Sequence, residues 1–106
     1  MPKYLIEATY TGEGLRGLQK DKASGRRDVV ARVVKGLGGT LEAFYFSLGD
    51  YDVVSIMELP DASAAAAYAI SISASGAVRT KTTPLLTVEE VDRGLAKSVD
   101  YRPPRA

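Results

Sequence analysis

"TLEAFYFSLGDYDVVSIMELPD", residues 40–61, sets two apolar runs on either side of Gly49-Asp50 and closes on Pro60-Asp61. The first run, "TLEAFYFSL" (40–48), is aromatic, and the second, "YDVVSIMEL" (51–59), is rich in β-branched residues. Two such runs with a glycine and an aspartate between them predict a hairpin. Pro60 ends the second strand, and Asp61 is placed to cap the helix that follows, "ASAAAAYAISISASG" (62–76), which stops at Gly76. Its alanines and serines leave little bulk, so this helix can lie very close to a sheet.

Upstream, "KYLIEATY" (3–10) alternates, with Tyr4, Ile6, Ala8 and Tyr10 on one side and Lys3, Leu5, Glu7 and Thr9 on the other. That is the two-residue period of a strand. "TGEGLRGLQKDKASG" (11–25) begins like a short helix near Glu13 and loses its pattern near Asp21, which predicts a broken helix or a loop. From Ser24, a candidate N-cap, Val29, Val30, Val33, Val34 and Leu37 form one apolar helical stripe that ends at Gly38-Gly39. Downstream, "AVRTKTTPL" (77–85) reads as a strand ended by Pro84. Thr87-Val88-Glu89-Glu90 then opens a short helix with a capping box, and Val88, Val91 and Leu95 follow at helical spacing.

The order β, broken α, β, β, α, β predicts an α+β, ferredoxin-like βαββαβ fold: a four-stranded antiparallel sheet, helices on one face, and a short C-terminal helix. One domain is expected over 1–97, with 98–106, ending in "DYRPPRA", as a flexible C-terminal tail. Leu5, Phe44, Tyr45, Phe46, Val53, Val54, Ile56 and Met57 offer apolar groups to both faces of that sheet. Leaving one face in water forgoes several kcal/mol at about 25 cal/mol per Å², comparable with the stability of a small domain. The simplest cover is the same face of a second copy, a homodimer or higher oligomer through sheet faces.

Composition narrows the chemistry. The chain has 106 residues, 45% hydrophobic and 25% charged, an ordinary soluble balance. No apolar run approaches the roughly 20 residues of a membrane helix, and "MPKYLIEATY" lacks the marks of a secretory signal, so a cytoplasmic location and no membrane partner are the default expectation. Cysteine and histidine are both absent. Thiolate chemistry, imidazole bases and the commonest metal and haem ligands go with them, so neither a cofactor nor a metal is expected. A net charge of +1 gives no strong field toward nucleic acid, and no nucleic-acid partner is expected.

"FYFSLGDYDVVSIMELPD" (44–61) resembles the signature of the GYD domain family: an aromatic strand, a Gly-x-Tyr-Asp turn, a valine-rich strand and Pro-Asp before an alanine-rich helix. "SASGAVRTKTTPLLTVEEV" (73–91) is similar to that family's second block, and "MPKYLIEATYTGEGLRGL" (1–18) also fits, so the resemblance covers nearly the whole chain. It implies a ferredoxin-like fold of the dimeric α/β-barrel type, often in larger oligomers. It implies no reaction, and fold alone does not choose one.

Gly49, Tyr51 and Asp52 are read as turn architecture, with Asp50 tolerating positive φ beside Gly49 and Asp52 bonding its own backbone. Arg79 and Lys81 stand two apart and share a strand face, where they either hold an anion or pair with Glu7. Tyr4, Tyr10, Tyr45 and Tyr68 are expected in the core with tethered hydroxyls. Arg26-Arg27 sit poorly with a helix dipole and read as solvated surface or as an anion or subunit contact. "TGEGLRGL" (11–18) matches neither a P-loop nor a dinucleotide fingerprint.

The expectation is an oligomeric structural or small-molecule-binding module, more a binder than an enzyme. A small anionic ligand would lie between sheet and helices near 12–25, with Tyr10, Arg79 and Lys81 as candidate contacts. The alternatives are a cofactor-free enzyme of monooxygenase or isomerase type acting on an anionic or enolisable molecule, and a metabolite-responsive regulatory domain.

Overall fold

A computed structural model describes residues 1–105. Four strands, β1 (Lys3–Tyr10), β2 (Thr40–Phe46), β3 (Val53–Glu58) and β4 (Val78–Leu85), form one sheet in the order β2-β3-β1-β4. Every neighbouring pair is antiparallel. Helices α1 (Gly12–Gly36) and α2 (Ala62–Ala74) connect β1 to β2 and β3 to β4, and α3 (Val88–Leu95) follows β4. This is the ferredoxin-like order read from the sequence.

Alternation along the strands sorts the two faces. Tyr4, Ile6 and Ala8 of β1, Val53 and Met57 of β3 and Val78 of β4 are buried toward the helices. Against them α1 places Val30 and Val34, and α2 places Ala65 and Tyr68, with Leu59 fully buried where β3 leaves the sheet. Ser55 is a buried polar residue in this layer, and its hydroxyl donates a 2.9 Å hydrogen bond to the Ile6 carbonyl, which satisfies it.

The opposite face carries Leu5, Glu7, Val54, Ile56, Thr83 and Leu85, all half-buried by their strand neighbours, together with Tyr45, Arg79 and Lys81, which are exposed. Tyr45, at 71% exposure, therefore departs from its expected core position, because it pairs with Val54 on the outer face. The T-shaped pair Phe44–Phe46 takes the inner side of β2 instead. At the β1 end of the outer face, Lys3 reaches Glu42 and also Glu58 at 3.6 Å.

α1 begins earlier than the valine stripe suggests. Thr11 caps it, its hydroxyl accepting from the Gly14 N–H at 3.2 Å. The expected break falls at Lys22, whose φ of 68° and ψ of 165° are non-helical. Gly38, at φ 85°, ends the helix. A Cβ on Gly39 would stand 2.1 Å from the Glu58 carbonyl oxygen, so the chain enters β2 through a gap that only glycine fits.

Two readings of local chemistry are corrected. Pro84 does not end β4. It sits inside this edge strand opposite Tyr4, where a missing N–H removes no ladder bond inside the sheet. Asp50 has no positive φ; among the described non-glycine residues only Lys22 does. β2 also carries a bulge between Leu41 and Ala43. Residues 98–105 of the expected tail are exposed and without regular secondary structure, and residue 106 lies outside the described residues. No described helix is long and apolar enough to cross a membrane.

Candidate functional site

A cleft of about 390 Å³ opens between the first half of α1, the C-terminal half of α2 and the start of β4, within the range of small-molecule sites. Its walls follow from the sequence. Glycines at 14 and 17 leave the α1 wall low, and a Cβ at Gly14 would fall 2.0 Å from the Ala77 carbonyl oxygen. Helix α1 therefore starts pressed against the entry of β4, and the Thr11 N–H donates to that same Ala77 carbonyl at 3.0 Å. Ile72 and Val78 form the apolar floor.

Tyr10 is half-buried at the inner end of the cleft, and Arg26 faces it from α1. Behind them a small chamber lined by Val30, Phe44, Val53 and Tyr68 continues toward the core. Burial pushes the Tyr10 hydroxyl above its ordinary value, while the Arg26 charge beside it acts in the opposite direction and Asp52 adds to the rise. Burial pushes Tyr68 further, to about 12, again with Arg26 opposing. Both shifts favour the neutral phenol, the form that can donate a hydrogen bond.

Arg26 and Arg27 part company. The Arg27 guanidinium is exposed and pairs with its neighbour Asp28 at 3.5 Å, whereas Arg26 keeps only 24% of its side chain exposed and meets Asp21 at 3.6 Å. The break at Lys22 lies between Asp21 and Arg26, so the kink brings a carboxylate from one half of α1 beside a guanidinium from the other. The mismatch with the helix dipole was the sequence signal for Arg26.

The three residues marked as ligand contacts do not converge within the chain. Tyr10 lies on the helix side, in the cleft. Arg79 and Lys81 lie on the outer face, directly opposite Thr9 and Glu7 in the β1–β4 register. Lys81 and Glu7 are thus cross-strand neighbours, the arrangement that favours pairing of opposite charges.

The turn residues join strands. The Asp52 N–H donates to the Ala8 carbonyl, its own carbonyl accepts from the Ser47 N–H, and its carboxylate accepts from the Tyr10 N–H, each at 2.8 Å. The carboxylate thus bonds the neighbouring strand and not its own backbone. Tyr51 is half-buried, and Gly49 is exposed with room for a side chain.

α3 stands apart from all of this. Thr87 and Glu90 close a capping box, with hydrogen bonds of 2.9 and 3.0 Å. No α3 residue is buried, and Val88, Val91 and Leu95 are 75%, 44% and 78% exposed.

The GYD domain model matches residues 4–95. The chain belongs to the GYD domain family. Within this GYD chain the match takes in the whole sheet, the cleft, the 47–52 turn and α3. A protein of Thermus thermophilus named glutamine synthetase and cystathionine beta-lyase binding protein is 28% identical over 91 residues, which is 86% of this GYD chain and 95% of that relative. No solved structure matches the chain.

Proposed function

We propose that this GYD domain is a protein-binding module that works as an oligomer. The observation that carries this reading is the apolar stripe Val88, Val91 and Leu95, exposed on a capped helix of which no residue is buried. Exposed apolar patches of this kind mark interaction sites. The outer sheet face supports the oligomer: Leu5, Val54 and Ile56 lie only half-buried on it, and a second copy related by a two-fold axis covers such a face with the same residues. Arg79 and Lys81 then belong to the interface, with Glu7 as a charge partner within or across the copies.

The relative is named for binding glutamine synthetase and cystathionine beta-lyase. By that likeness the partner of α3 is one of these enzymes, and a soluble compartment such as the cytoplasm is where the two would meet.

The test is biolayer interferometry between the purified chain and the glutamine synthetase of its own host. Binding lost in a Val91→Lys/Leu95→Lys double variant of unchanged oligomeric state is the expected result. No binding by the unaltered chain to that enzyme or to the host's cystathionine β-lyase would remove the reading.

A further inference from the structure

The charges of the cleft do not suit a simple anion. Glu13, Asp21 and Arg26 line it, two carboxylates against one guanidinium. A simple anion entering meets a net negative wall, and a simple cation leaves the deeper Arg26 guanidinium with Asp21 as its only charge partner among the lining residues. Arg26 is the deeper group, shared between the cleft and the inner chamber beside Tyr10, whereas Glu13 and Asp21 line the outer cleft and not the chamber. Ile72 and Val78 offer an apolar surface between the two ends.

We infer that this cleft binds a free α-amino acid with an apolar side chain. Its carboxylate meets Arg26 with the Tyr10 hydroxyl beside it, its ammonium group meets Asp21 and Glu13, and its side chain lies on Ile72 and Val78. The Asp21–Arg26 contact at 3.6 Å is longer than a good charge-assisted hydrogen bond, so each of the two groups keeps capacity for a closer partner of opposite charge from the cleft side. The place of Tyr10 beside Arg26 supports the assignment, because a neutral phenol donates to a carboxylate. This inference stands apart from the protein-binding reading: α3 and the outer sheet face contribute nothing to the cleft.

The experiment is calorimetric titration of the full chain with L-leucine, with 4-methylpentanoate (leucine without its ammonium group) and with 3-methylbutylamine (leucine without its carboxylate). Leucine is expected to bind, and each truncated analogue to bind about tenfold or more weakly. Arg26→Gln is expected to weaken leucine by about tenfold or more. As Arg26 also packs against the core, Asp21→Asn gives a second route: that side chain is half exposed, so the fold is kept while the ammonium group loses a charged partner and leucine binds about tenfold more weakly. Absence of leucine binding up to about 10 mM, a 4-methylpentanoate affinity equal to that of leucine, or leucine binding unchanged in Asp21→Asn would each overturn the assignment.

Discussion

The Asp52 carboxylate accepts a 2.8 Å hydrogen bond from the backbone N–H of Tyr10, tying the residue before β3 to the last residue of β1. Regular pairing between these strands ends at Ala8 and Val53, so without Asp52 the Tyr10 amide would have no strand partner on that side. The motif aspartate finishes the ladder where the backbone cannot.

Asp52→Ala is expected to lower stability by about 1–3 kcal/mol, the usual effect of orphaning a part-buried donor. Asp52→Asn, which keeps an acceptor oxygen, recovers most of it. Gly49→Ala is expected to stay within about 0.5 kcal/mol, because its Cβ would meet only the Ser47 hydroxyl at 3.6 Å. Urea denaturation of the three variants checks the order.

The two sides of β3 give opposite signatures. Met57 is fully buried, and Met57→Ala is expected to cost about 2–5 kcal/mol. Ile56 points outward, and Ile56→Lys is expected to reduce the subunit number while far-ultraviolet circular dichroism keeps its native shape. Native mass spectrometry decides, and an unchanged oligomer for Ile56→Lys would defeat the sheet-face assembly.

Glycines three apart on α1 also diverge. Gly14→Ala drives a methyl group into the Ala77 carbonyl and should cost more than about 2 kcal/mol. Gly17→Ala meets open space and should add about 0.5–1 kcal/mol through helix propensity. Thermal melts of the two variants should move in opposite directions.

Lys22, at φ 68° and ψ 165°, occupies a region that side chains rarely adopt. Lys22→Gly relieves that strain and is expected to raise stability by about 1 kcal/mol after the added unfolded-state entropy is subtracted. A lower melting temperature would show the strain to be absent.

Alkaline pH loosens the core through Tyr68. Its folded value of about 12 lies above the ordinary 10.0, so the folded state holds the proton more tightly than the unfolded chain. The contribution is complete below pH 10 and is lost as pH rises toward 12, at up to about 1.4 kcal/mol per pH unit. Tyr10 is raised in the same direction and adds to this slope. Tyr68→Phe is expected to flatten the decline, measured as denaturant midpoints from pH 9 upward, and an unaltered slope would assign it elsewhere.

Strands were legible because alternation is local: Tyr4, Ile6 and Ala8 announce their face without reference to anything distant. The capping box at Thr87–Glu90 and the Pro60-Asp61 junction are equally local, and the family signature takes in both. How Tyr10 relates to Arg79 is a different kind of fact. Period-two alternation assigns faces within one strand, but only the register between strands shows that Arg79 sits opposite Thr9 and so turns away from Tyr10. Arg26 was marked by its poor fit to the helix dipole, yet its approach to the cleft depends on the break at Lys22, a residue type that gives no warning of positive φ.

Both margins of the sheet are irregular. The bulge between Leu41 and Ala43 interrupts β2, and Pro84 removes a donor from β4. A free strand edge invites another chain to extend the sheet without limit, and these two interruptions blunt it on either side. Lateral growth into filaments is thereby discouraged, and the face of the sheet, not its edges, is what remains open to a partner.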